Sequence, residues 1–213
     1  MPFFFTDDSF ISEGTSKFAT TEIDNVIASG FDEAGNLVER WVVPKGFDSV
    51  DDFLSKVDAS TIQNYGYKNI DEFNDVVANA NKHLNADDAN KILNSTKAGT
   101  VYNGVEFDVL GFPVFKGDNL KFEFDLPSNL IVSPDKNQFE ACTMALDKAI
   151  KDGLVPESMF TPNQLQDIID GMPKIEGLTW HHHQVTGKMQ LVPSIVHNTN
   201  HLGGNKLWGE GIR

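Results

Sequence analysis

The chain has 213 residues, of which 40% are hydrophobic and 23% are charged, and its formal net charge is −14. No run of about eighteen apolar residues is present, and the opening MPFFFTDD lacks a basic leader, so we expect neither membrane insertion nor a secretory signal peptide. The acidity argues against generic polyanion binding, which needs a basic surface.

The first hundred residues predict a short β-rich stretch followed by helices. Residues 25–31 and 37–44, NVIASGF and LVERWVVP, flank a hairpin-like turn at Gly35 and Asn36. Three amphipathic segments then predict helices over residues 49–58, 69–84 and 86–95.

The helical pattern breaks at KAGTVYNGV, residues 97–105, which predicts a boundary. Beyond it, residues 105–115 and 120–127 predict short strands, and the strict alternation of LKFEFDL indicates that the second is half-buried. Residues 137–153 and 161–171 predict two helices, each ending at a glycine.

The C-terminal segment predicts two strands and a helix. GLTWHHH is a strand, QVTGK a turn and MQLVP a second strand, and a helix follows from Pro193 or Ser194 as far as Gly203 and Gly204. Residues 198–200 are weak helix formers, so this helix needs support from outside its own sequence, and a metal clamp would supply it.

Five of the six histidines lie in this last segment. His197 and His201 are four residues apart, so on a helix they share one face and can reach one cation. In an extended strand His181 and His183 point to one side and His182 to the other, which by itself suggests a chelate from the first and third. A strand that twists or ends near Gln184 would instead let neighbouring histidines serve one reacting group.

The donor chemistry indicates the kind of metal. Three imidazoles suit zinc, nickel, cobalt or copper. A magnesium-only site would be expected to include carboxylates, and none lies between residues 181 and 201. From residue 181 onward the sequence has one acidic and three basic residues, so this is the least acidic part of the chain.

The stretch TWHHHQVTGKMQLVPSIVHNTNHLGGNKLWG strongly resembles the WHH branch of the HNH (His-Me finger, ββα-metal) nuclease superfamily, found mainly as C-terminal toxin domains of bacterial polymorphic toxins. The likeness is dense over residues 177–209, and a looser likeness includes NGVEFDVLGFPVF and the two helices before the motif. It implies an α+β fold with a C-terminal ββα-metal core in a nuclease domain over residues 100–213. A mixed, largely helical region of unknown role, such as a delivery or pre-toxin segment, would precede it in residues 1–99.

The resemblance also implies roles for individual histidines. His181 would be a metal ligand and His182 the general base, while His197 and His201 would be ligands from the helix. The TGK turn also resembles that of the phage junction-resolving nucleases, and aligning on it gives the same pairing of His181 as ligand with His182 as base. Four further residues would support a ligand or contact a phosphate: His183, Lys188, Gln190 and Lys206. The two lysines are equally well explained as solvated surface residues.

The function that this resemblance implies is a metal-dependent endonuclease toxin acting on DNA rather than RNA. One divalent ion would be bound (Zn, Ni, Mn or Mg), and imidazole ligands favour zinc or nickel. A cognate immunity protein, delivery by a specialised system or within a larger toxin, and action in the target-cell cytoplasm are also implied.

Two alternatives stay open from the sequence. A binding or adaptor module with a purely structural metal would agree with the acidity. A zinc hydrolase would use a chelate formed by His181 and His183.

Overall fold

The structure is a computed structural model that describes residues 43–84, 96–199 and 201–208, together with three strands at 18–19, 27–31 and 37–42. Helices and three small antiparallel sheets make up this part of the chain, which confirms the predicted α+β class. Within these residues no helix has the length and apolarity needed to cross a membrane.

The first sheet has the order β1-β2-β3 and contains the predicted strand pair. Its strands are β1 (Phe18–Ala19), β2 (Ile27–Phe31) and β3 (Leu37–Val42). The turn predicted at Gly35 and Asn36 lies outside the described residues.

Three helices follow this sheet: α1 (Val50–Lys56), α2 (Ala59–Asn64) and α3 (Ile70–His83). The side chains of Ser49 and Asn69 accept backbone N–H bonds at the starts of α1 and α3, so both predicted helices begin at side-chain caps. The short α2 was not predicted, and the helix predicted over residues 86–95 lies outside the described part of the chain.

A second sheet contains three very short strands, β4 (Val101–Tyr102), β5 (Val105–Phe107) and β6 (Pro113–Val114). Asp108 organises the turn between β5 and β6, because its Oδ1 accepts the backbone N–H groups of Leu110 and Phe112 at 2.9 Å each. The strands predicted over residues 105–115 are therefore two short strands around a tight turn.

The third sheet has the order β7-β9-β8, and two helices lie between β7 and β8 in the chain. Its strands are β7 (Phe122–Asp125), β8 (Leu178–His182) and β9 (Lys188–Pro193), and the helices are α4 (Asp135–Lys151) and α5 (Pro162–Ile169). Strand β7 alternates between partly buried and exposed positions, as LKFEFDL predicts. Helix α5 begins with a capping box between Thr161 and Gln164, and both predicted helices are confirmed.

The N-terminal helices and the third sheet share one hydrophobic core. Phe53 and Phe73 belong to the same buried cluster as Trp180 and Met189. A buried hydrogen bond of 2.7 Å from the Tyr67 hydroxyl to Asp108 joins the helices to the β5–β6 turn. The boundary predicted near residue 100 thus lies between two parts of the chain that pack directly against each other.

The helix predicted from residue 193 to residue 203 was wrong in its extent. Helix α6 (Ser194–His197) contains one turn, and a second short helix, α7 (Asn205–Trp208), follows it. The described residues between them, 198–199 and 201–204, are irregular. Asn198 and Thr199 have poor helix propensity, which explains the early end. Two bonds from the C-terminal end fix the chain beside the histidine triplet: Gly204 N donates to His182 O at 2.8 Å, and Trp208 Nε1 donates to His183 O at 2.9 Å.

Candidate metal centre and its surroundings

Strand alternation separates the first two histidines of the triplet. Trp180 donates its Nε1–H to Thr143 on α4 at 3.1 Å, and His182 bonds Gln138 on the same helix at 2.7 Å. His181, between them in sequence, therefore points to the opposite face of the sheet.

On that opposite face, three imidazoles converge. His181 Nδ1 lies 3.3 Å from Nε2 of His197 and 3.3 Å from Nε2 of His201, and one nitrogen from each ring falls within 4.8 Å of the others. Phe115 packs edge-on against His181, with ring centroids 5.0 Å apart. The three residues predicted as metal ligands thus meet in space, although His197 and His201 do not lie on one continuous helix.

Burial keeps these imidazoles neutral. It lowers the pKa of His181 well below its usual value, and neighbouring His201 and His197 lower it further. Burial, with a smaller effect of His201, lowers the pKa of His197 to about 4, and burial also lowers that of His201. A neutral imidazole has the lone pair that a metal ligand needs, so the set fits a divalent cation that favours nitrogen.

The tautomer of His201 agrees with this fit. Its Nδ1 bonds the backbone carbonyl of Thr199, which requires the proton on Nδ1. The lone pair is then on Nε2, the atom that faces His181. A ligand histidine whose second nitrogen donates to a carbonyl is the common arrangement in metal sites.

His182 lies in a different environment, against helix α4. Gln138 donates its amide hydrogens to the carbonyls of Leu130 and Ile131, both at 2.8 Å, so its oxygen is the atom that faces His182 Nε2. An amide oxygen only accepts, so Nε2 of His182 carries a proton and the lone pair of the neutral ring is on Nδ1. Asp135 lies 3.6 Å from the same Nε2. After burial and His201, His182 makes a smaller contribution to the lowered pKa of His197.

His183 lies apart from the cluster, beside the N-terminal helices. Its Nδ1 accepts the backbone N–H of Val185 at 3.1 Å, and its ring packs edge-on against the Tyr67 ring, with the two ring centroids 6.2 Å apart. Because its ring nitrogens are not among the converging atoms, the geometry does not favour a chelate from His181 and His183.

Lys188 and Gln190 both border a cavity of about 360 Å³ on the face that carries His181. Lys188 is 1% exposed, and its Nζ donates to Gly66 O at 2.9 Å and lies 3.5 Å from Glu72. It is therefore not a solvated surface lysine, and its ammonium joins strand β9 to the N-terminal helices. Lys206, on α7, is exposed.

Sequence reasoning missed Gln138 and Phe115. A signal for Gln138 was available, because it lies four residues before Cys142 on the buried face of an amphipathic helix, where a polar side chain needs a specific partner. Phe115 had no signal, because its contact with the imidazoles depends on how the second and third sheets pack.

Comparison with known families adds one finding. Residues 105–203 match a family model described as the DNase/tRNase domain of colicin-like bacteriocins. The matched region contains His181, His182, His197 and His201, and it supports a bacteriocin nuclease domain in this part of the chain. No curated protein and no solved structure gives a significant match to the chain.

Proposed function

We propose that this chain is a metal-dependent nuclease toxin of the HNH type, in its WHH branch, and that it hydrolyses phosphodiester bonds of DNA rather than RNA. The observation that carries the proposal is the convergence of three neutral imidazoles inside the segment that matches bacteriocin nucleases. The WHH motif and the TGK turn supply the finer assignment within that class.

His181, His197 and His201 would hold one divalent ion, for which imidazole donors favour zinc or nickel over manganese or magnesium. When bound, such an ion polarises the phosphoryl group and stabilises the departing oxygen. The chain contributes ligands that are already neutral, so binding displaces few protons at neutral pH.

His182 would be the general base that accepts a proton from the attacking water. A neutral imidazole accepts protons near neutral pH without extensive tuning. The Gln138 amide supports this role, because it holds the proton of the neutral ring on Nε2 and leaves the lone pair on Nδ1.

Four further roles belong to the proposal. His183, Lys188, Gln190 and Lys206 would support the ligands or contact phosphate. A nuclease toxin also implies a nucleic acid substrate, a cognate immunity protein in the producing cell, and delivery into a target cell. Residues 1–99 would be a delivery or pre-toxin segment.

The test is cleavage of supercoiled plasmid DNA and of structured RNA by the full chain, after metal removal and re-addition of Mg, Mn, Ni or Zn. Wild type should cut DNA with at least one metal, and His182→Ala should lose most activity while retaining metal binding. His83→Ala, on the exposed end of α3, is the matched control and should cut normally. No cleavage with any metal, or equal cleavage by wild type and His182→Ala, would refute the proposal.

A metal-stabilised binding module is the second candidate. It is favoured by the net charge of −14 and by the burial of His181, which is 2% exposed. In that case metal removal unfolds the chain and no phosphodiesterase activity accompanies metal binding.

A further inference from the structure

Two buried polar atoms on the face of the third sheet that carries His181 lack partners. Among the residues that the structure describes, neither Nε2 of His181 nor Oε1 of Gln190 has a hydrogen-bond partner. Both residues are 2% exposed, so bulk water does not satisfy either atom. Buried polar groups are normally paired, and an unpaired donor and an unpaired acceptor so close together require an explanation.

The strand register brings these two residues to the same row of the sheet. His181 on β8 lies directly opposite Gln190 on β9, which in turn lies opposite Glu123 on β7. Directly opposed residues of antiparallel strands project from the same face and are near neighbours. The three side chains therefore form a row that leads from the metal centre towards the sheet edge.

The proton positions along this row follow from the contacts. His181 presents Nδ1 to both other imidazoles, so Nδ1 is its ligand atom and Nε2 carries the proton. Gln190 donates its Nε2–H to Glu123 Oε2 at 2.9 Å, which leaves its Oε1 as an acceptor. The row thus contains a donor on His181, an acceptor on Gln190, and a carboxylate that fixes which way the amide faces.

We propose that Gln190, oriented by Glu123, accepts the Nε2–H of His181 and thereby positions this ring for metal binding. This inference rests on the proposed metal centre. Gln190 and Glu123 both border the cavity of about 360 Å³, and the strand register places Gln190 directly opposite His181. Gln190 is a positioning residue in this scheme and touches neither the metal nor the substrate.

The test is the zinc affinity of the metal-free full chain, measured by competition with a chelator of known affinity. Gln190→Met keeps an unbranched side chain of similar size and removes the acceptor. Loss of an outer hydrogen bond to a ligand histidine weakens metal binding by about 10- to 100-fold. The exchange of the two residues, Glu123→Gln with Gln190→Glu, restores an acceptor beside His181 and should recover most of the affinity.

Two further variants complete the design. Gln63→Met makes the same substitution at an exposed residue that borders the same cavity, and it should leave zinc affinity unchanged. Glu123→Ala removes the carboxylate that orients the Gln190 amide. Glu123 is exposed, so the variant should fold, and it should bind zinc more weakly than wild type.

The outcomes separate the two proposals. If wild type binds no zinc, the metal centre itself is wrong. If wild type binds zinc and Gln190→Met, folded by circular dichroism, binds it equally well, the role of Gln190 is wrong. If Glu123→Ala alone binds zinc as wild type does, the orienting role of Glu123 is wrong. Weaker binding by Gln190→Met that the exchange does not recover would also overturn it, since a missing acceptor would not be the cause.

Discussion

Replacing Asp108 by asparagine tests how the β5–β6 turn and the N-terminal helices are held together. Oδ1 of Asp108 accepts two backbone N–H bonds and Oδ2 accepts the Tyr67 hydroxyl. Burial raises the pKa of this carboxyl from 3.8 to about 6, against the lowering effect of those hydrogen bonds. The folded protein therefore keeps a proton that the unfolded chain has already lost at mildly acidic pH.

The sign of the pH dependence follows from that difference. The stabilisation by protonated Asp108 is fully present below the unfolded pKa and is lost as the pH rises through about 6. A difference of about two pKa units corresponds to at most about 3 kcal/mol. Asparagine keeps the Oδ1 acceptor and does not ionise, so Asp108→Asn should gain stability relative to wild type as the pH rises.

The assay is urea unfolding of both metal-free proteins at several pH values from about 4 to about 7.5. The histidines titrate in both proteins, so their contribution cancels in the difference between the two unfolding free energies. That difference should grow with pH by up to about 3 kcal/mol. A difference that does not depend on pH would refute the assignment of a raised pKa to Asp108.

Three further predictions follow from the site. Gln138→Leu removes the acceptor for Nε2 of His182 and should lower DNA cleavage by about 10- to 100-fold, corresponding to about 1–3 kcal/mol. Zinc affinity should be unchanged. An equal loss of cleavage and of zinc affinity would contradict a role specific to the general base. Zinc at about 100 times its dissociation constant should raise the unfolding free energy by about 2.7 kcal/mol in wild type, and His197→Ala should show little increase in a urea titration; equal increases would argue against this ligand. Gly204→Ala should lower the melting temperature strongly, because a Cβ there would overlap the carbonyl of His183. Gly203→Ala is the control, since its Cβ meets only Asn205 Oδ1 at 3.3 Å and should be tolerated. Equal melting temperatures of the two variants would contradict the close approach at Gly204.

Much of the regular structure could be predicted because its signals are local. Helix α5 begins at Thr161, where the capping box is written in adjacent residues, and the alternation of β7 is visible in seven letters of sequence. The fold class follows from such elements. The separate α2 was missed because one helical pattern extends over residues 49–58 and the next turn begins immediately after it.

The sequence allowed the three histidines of the candidate metal centre to be predicted, but not the chain geometry that brings them together. The spacing of His197 and His201 identified two residues that do meet His181, but the reason given, a shared helix face, was incomplete because α6 ends at His197. Gly204 and Trp208 donate hydrogen bonds to the carbonyls of His182 and His183 and so hold the chain around α7 beside the histidine triplet. No local sequence pattern encodes these contacts. Gln138, the partner of His182, lies 44 positions away in sequence, and the Tyr67 ring that contacts His183 lies in the N-terminal region, so only the tertiary fold could reveal these contacts.

The most direct test of the central claim is to measure metal content and plasmid cleavage on the same metal-free sample as metal is added back. We predict that activity rises in proportion to bound metal and saturates at one ion per chain. His197→Ala and His201→Ala should lose both binding and cleavage. Cleavage that persists in the fully chelated protein, or that is unchanged in both variants, would contradict a nuclease centre built on these three histidines.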